Sequence, residues 1–104
     1  MKILIRKNKL LIAPEMILRQ AGYNYIIGRD GRQDSFAREF SRTGYPRFHI
    51  YLKYKNDIVE FNLHLDQKKP SYAGSRAHSG EYNGAVVEAE INRLKKLIIE
   101  LVNK

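Results

Sequence analysis

Three histidines, His49, His64 and His78, stand in one stretch of the chain between Arg47 and Tyr82. Two of them can be set side by side by counting. Arg47-Phe48-His49-Ile50-Tyr51-Leu52-Lys53-Tyr54-Lys55 and Ile58-Val59-Glu60-Phe61-Asn62-Leu63-His64-Leu65-Asp66 both alternate polar and apolar, the period-2 signature of a half-buried strand. Asn56-Asp57 between them suits a two-residue hairpin loop. Lys55 then pairs with Ile58, and the register runs out to Arg47 opposite Asp66. One face brings together Phe48 and Leu65, Ile50 and Leu63, Leu52 and Phe61, Tyr54 and Val59. The other brings together His49 and His64, Tyr51 and Asn62, Lys53 and Glu60. A slip of one residue would move every side chain to the wrong face.

Two adjacent imidazoles can divide acid–base work. In cleavage of RNA, one takes the proton of the 2′-hydroxyl and the other protonates the leaving 5′-oxygen. Imidazole suits both tasks because its ordinary pKa of ~6.5 keeps both forms available near neutrality. Asp66 could orient an imidazole, and Arg47, Lys53, Lys68 and Lys69 could hold phosphate. The catalytic candidates are therefore His49, His64, Asp66 and His78. The same strip admits a second chemistry: cross-strand imidazoles are close enough to share one metal ion, with His78, Asp66 or Glu81 completing the set. A plainer reading also exists, since paired polar residues finish any solvated sheet face.

The segment from Gln67 to Asn83 has no hydrophobic period, and so long a loop in a compact domain is usually functional or disordered. Lys68, Lys69, Tyr72 and Arg76 interleave cations with an aromatic ring, a composition that stacks on unpaired bases and contacts phosphates. With Arg47, Tyr51 and Lys53 they form the candidate RNA-binding set. Charge points the same way. The net charge is +8, and residues 1–55 hold 12 Lys/Arg against 4 Asp/Glu. Most of those cations are arginine, which grips phosphate in a bidentate fork, so a polyanion is the expected partner.

The elements that must position these residues follow from punctuation and period. Lys2 to Ile5 reads as a strand, which Lys9 to Ile12 continues or pairs with. Pro14 opens a helix that Gly22 closes, and Tyr23 to Ile27 is a strand. Gly28-Arg29-Asp30-Gly31 reads as a turn rather than a phosphate loop, because the Walker spacing is absent. Asp34 or Ser35 can cap a short helix over 34–42, whose Phe36 and Phe40 at i and i+4 would enter the core. Val87, Ile91, Leu94, Ile98 and Leu101 mark one face of a long last helix, with Asn83 as a cap. The expected fold is α+β in one domain of 104 residues. It is an antiparallel sheet of three to four strands with a short N-terminal and a long C-terminal helix on one face, an α-β-β-β-α core with an inserted short helix. The histidine strip would face outward.

From Pro14 onward that order resembles the double-stranded-RNA-binding fold. Within it, Leu18-Arg19-Gln20-Ala21-Gly22-Tyr23, Phe48-His49-Ile50-Tyr51, and His78 followed by Gly84 and a long helix resemble the HicA toxins, small basic ribonucleases that cut messenger RNA. The resemblance implies a catalytic histidine early in a strand, at His49, and a cognate antitoxin that covers the site. It departs from the family before that histidine, where Arg47-Phe48 replaces a Gly-Ser pair, and in the longer 29–45 and 67–83 stretches.

No apolar run approaches the ~20 residues that span a bilayer, the N-terminus is too short and too soon charged for a signal peptide, and there is no cysteine. A cytoplasmic protein without membrane contact is expected. The leading reading is a nucleic-acid-binding protein, a ribonuclease acting through His49 on single-stranded RNA with neither metal nor cofactor. The alternatives are a non-catalytic module binding RNA or an acidic protein, and a metal-dependent enzyme built on His49, His64 and His78.

Overall fold

The computed structural model describes residues 1–67, 80–81 and 84–102. The elements are β1 (Lys2–Arg6), α1 (Pro14–Gln20), β2 (Asn24–Ile26), β3 (Ser35–Glu39), β4 (Arg47–Lys55), β5 (Ile58–Asp66), β6 (Gly80–Glu81) and α2 (Ala85–Glu100). The fold is α+β. One antiparallel sheet runs β1-β5-β4-β3-β2, and β6 also pairs with β5.

The β4–β5 hairpin holds the register that alternation demands, with Arg47 opposite Asp66, His49 opposite His64 and Lys55 opposite Ile58. Its loop turns at Asn56, whose φ of 56° lies in the left-handed region that two-residue hairpins require and asparagine tolerates. Phe48, Ile50, Leu52, Val59, Phe61, Leu63 and Leu65 make the apolar face. Ile17 and Leu18 of α1 and Val87, Ile91, Leu94 and Ile98 of α2 cover it. Each such side chain, taken fully out of water, contributes roughly 1.5–3 kcal/mol, so this face anchors both helices. Pro14 stands in the first turn of α1, as expected, and Gly22 follows its end at a φ of 95°. Gly84 is the N-cap of α2; the proposed cap Asn83 lies outside the described residues. No described helix is long and apolar enough to cross a membrane.

Two expectations fail here. The segment proposed as a short helix over 34–42 is strand β3, so the sheet has more strands than the three to four expected. Ser35-Phe36-Ala37-Arg38-Glu39 alternates faces, and its backbone satisfies the open edge of β4, with Phe36 opposite Ile50 and Ala37 opposite His49. Phe36 is therefore core, at 4% exposure, whereas Phe40 is 46% exposed and packs edge-on against Phe48. Near the N-terminus, Lys7–Lys9 form a single 3-10 turn. Leu10 beyond it bridges to Val102 instead of continuing β1.

Candidate functional site

Opposite the helices, the sheet carries the histidine strip. His49 and His64 face each other across β4 and β5, with ring centroids 4.8 Å apart. Asp66 lies two residues beyond His64, hence on the same face, and its carboxylate reaches both rings. Oδ2 is 3.0 Å from His49 Nδ1, and Oδ1 is 2.8 Å from His64 Nε2. Arg47, directly opposite Asp66, donates its Nε–H to Oδ2 at 3.1 Å. Tyr51 closes the strip, stacking on His64 at 5.8 Å and lying 4.7 Å from the His49 ring. The strip points away from the helices as expected, but the imidazoles are buried, at 8% and 7% exposure.

These contacts decide where the protons are. Burial alone would raise the Asp66 carboxyl. The hydrogen bonds and charge of the two imidazoles outweigh it and hold the carboxyl well below the ordinary carboxylate range. Asp66 is then an ionised, acceptor-only group at neutral pH. His49 Nδ1 and His64 Nε2 must supply the hydrogens. In the neutral ring of His49 the lone pair therefore sits on Nε2. That nitrogen is 2.7 Å from Ser35 Oγ, so the hydroxyl donates to it.

Ser35 is a site residue that sequence reasoning missed. It sits on β3, where Ala37 lies opposite His49. Ser35, next to Ala37 on that face, brings its hydroxyl to the imidazole. The alternation Ser35-Phe36-Ala37-Arg38 is the signal that could have found it.

A cleft of about 540 Å³ is lined by Ser35, His49, Arg47 and Tyr51 together with Arg29, Asp30, Arg32 and Gln33 of the β2–β3 connection. The expected turn is present: Arg32 N–H donates to Arg29 O at 3.1 Å, with Asp30 and Gly31 at φ of 57° and 78°. Asp34 staples the loop through Gly28 N–H at 2.8 Å and through the Tyr25 hydroxyl. Gly28 admits no side chain, since a Cβ would lie 2.0 Å from Arg32 O. The connection thus holds two arginines beside His49. Two further hollows lie along the same sheet face. A second hollow shares Gln33 and Tyr51 with the cleft and adds Lys2, Lys53, Glu60 and Asn62. A third shares Lys53 and Glu60 and reaches Leu4 and Lys55.

The anticipated residues Arg47, His49, Tyr51, Lys53, His64 and Asp66 therefore lie on one sheet face. His49, Arg47 and Tyr51 line the cleft, whereas His64 and Asp66 do not. His78, Lys68, Lys69, Tyr72 and Arg76 lie outside the described residues. Among the described residues one group offers a ligand set: His49, His64 and Asp66 bring one donor atom each within 4.8 Å of one another. No family model matches the chain, and no curated protein or solved structure matches it either.

Proposed function

We propose that this chain is a small basic RNA-binding protein that cleaves a phosphodiester without a metal, using His49 as the base. One observation carries the reading: His49, hydrogen-bonded through Nδ1 to Asp66, lines a cleft that also holds Arg29, Arg32 and Arg47. Asp66 fixes the tautomer, His49 takes the proton of an attacking hydroxyl, and guanidinium groups hold the anionic phosphate. The hollows past Tyr51 offer a single strand the lysines Lys2, Lys53 and Lys55, set beside Glu60 and Asp57, with Tyr51 as a ring for base stacking. His64 positions Asp66 in this scheme. A HicA-like ribonuclease, paired with an antitoxin in the cytoplasm, is the biological setting that fits this chemistry.

The ligand geometry of His49, His64 and Asp66 supports a second reading, a metal-dependent enzyme. An ion there would have to displace the shared protons and sit beside the Arg47 guanidinium, whose Nε is 3.1 Å from Asp66 Oδ2. A cation so close opposes another, which favours the acid–base reading.

The test is cleavage of a labelled single-stranded RNA by wild type and His49→Ala, each with and without EDTA. Wild-type cleavage that persists in EDTA and falls ~100- to 10,000-fold in His49→Ala is expected, the usual cost of losing a general base. Wild-type rates in His49→Ala would overturn the assignment. Activity that vanishes on chelation and returns with a divalent ion would transfer the case to the metal reading. Salt-sensitive binding with no cleavage would leave a binding module.

A further inference from the structure

The nucleophile need not come from the RNA. Ser35 Oγ lies 2.7 Å from His49 Nε2, and His49 Nδ1 lies 3.0 Å from Asp66 Oδ2. A hydroxyl, an imidazole and a carboxylate are thus joined through the two opposite nitrogens of one ring. This is the arrangement that activates a serine: the base is in hydrogen-bond reach of the nucleophile, and a third group orients the base. Three strands contribute to it, with Ser35 from β3, His49 from β4 and Asp66 from β5. Ser35 is buried, yet it borders the same cleft as Arg29, Arg32 and Arg47.

We infer that Ser35 is the attacking hydroxyl and that the cleft acts on phosphodiesters with or without a 2′-hydroxyl. The inference rests on the phosphodiester-cleaving reading above and adds the nucleophile and the wider substrate class. In the first step the Ser35 Oγ–P bond forms, the hydroxyl proton passes to His49 Nε2, and the P–O bond to the leaving nucleoside breaks. The departing oxygen takes the proton from His49. In the second step water attacks the phosphoserine diester. Its proton goes to His49, the Oγ–P bond breaks, and Ser35 recovers its hydrogen from His49. Over the cycle, one phosphodiester and one water give one alcohol and one phosphate monoester. Arg29 and Arg32 line the same cleft and would meet the charge that develops on phosphorus oxygens, as phosphoryl transfer requires. Since the 2′-hydroxyl takes no part, DNA is a substrate as well as RNA.

The test uses end-labelled single-stranded RNA and DNA of one sequence, in EDTA, with wild type, Ser35→Ala and His49→Ala. Cleavage of both nucleic acids by wild type is expected, with monoester ends, and its loss in both variants. A trace of label that stays on the protein through denaturation, and maps to Ser35, is expected early in the reaction. RNA cut to 2′,3′-cyclic phosphate ends with DNA intact would overturn the inference while sparing the phosphodiester reading, because the 2′-hydroxyl would then be the attacker. Wild type that cuts neither would overturn both. The DNA arm needs no variant, so a folding defect in Ser35→Ala cannot obscure the result.

Discussion

Two carboxylates are withdrawn from water on opposite faces of this sheet, and their surroundings differ in kind. Asp66, 15% exposed in its side chain, is held by two imidazoles and Arg47. Glu90 of α2, 3% exposed, is held by Arg93 at 2.7 and 2.8 Å, by the Tyr23 hydroxyl at 2.5 Å and by Arg38 at 3.7 Å. Arg93 also donates to Ala21 O at 2.8 Å, so the cluster ties α2 to the end of α1 and to the entry of β2. Guanidinium groups stay charged throughout the range in which proteins fold, and burial and the Glu90 bond push the Tyr23 phenol far above its ordinary value. None of these partners of Glu90 trades a proton near neutrality. The partners of Asp66 include imidazole, the side chain suited to that exchange, and one of the two rings borders a cleft. The same device, a shielded carboxylate ringed by donors, is a fastening on one face and, in the proposed function, the orienting member of a site on the other.

Replacing His49 should break that contrast most severely. His49→Ala should cost ~100- to 10,000-fold in cleavage, whereas Tyr23→Phe, on the far face, should leave the rate of the folded protein unchanged; single-turnover assays at matched folded fraction check both. Glu90→Ala should instead act on stability. It strands the buried Tyr23 phenol without its acceptor, at about 1–3 kcal/mol, and for a domain of this size each kcal/mol lowers Tm by roughly 4–8 °C. Thermal unfolding followed by circular dichroism reads it.

Charge removal along the cleft should be gentler. Arg32→Ala and Lys53→Ala should each weaken RNA binding and reduce the slope of log K against log salt by about 0.7 per lost phosphate contact, with little change in Tm. A slope unaffected by either variant would place the RNA elsewhere.

The smallest effect separates the two faces by pH. The Asp66 carboxyl is lowered on folding, so its contribution is complete above the unfolded value of ~3.9 and is lost as pH falls from there through the folded value. The Tyr23 phenol is raised, so its contribution is complete below ~10 and is lost as pH rises beyond that. Tyr54, pushed up to about 12 by burial and by its bond to Glu15, adds to the alkaline side. A Tm profile against pH should fall at both ends. Asp66→Asn should flatten the acid limb and Tyr23→Phe the alkaline one.

The chain alone reveals what local pattern controls. Alternation and a two-residue loop set every pair of the β4–β5 hairpin, and with them His49 beside His64 and Asp66 on their face. The failures come from partners distant in sequence. Phe36 and Phe40 have helical spacing, but the unpaired edge of β4 recruits residues 35–39 as a strand, and that brings Ser35 to His49. Glu90 and Arg93 stand at i and i+3, yet their meaning depends on Tyr23, 67 residues from Glu90. Arg29 and Arg32 do lie on a turn, and only the sheet order places that turn beside His49.

The most direct test of the contrast is the rate of RNA cleavage in EDTA by Asp66→Asn and Glu90→Gln, compared with wild type at equal folded fraction. Each variant removes one negative charge and keeps the shape of the side chain. The expected result is a loss of at least ~100-fold for Asp66→Asn, in line with a base that has lost its orienting partner, and a wild-type rate for Glu90→Gln. Equal losses, or a loss confined to Glu90→Gln, would contradict the division of the molecule into a chemical face and a fastening face.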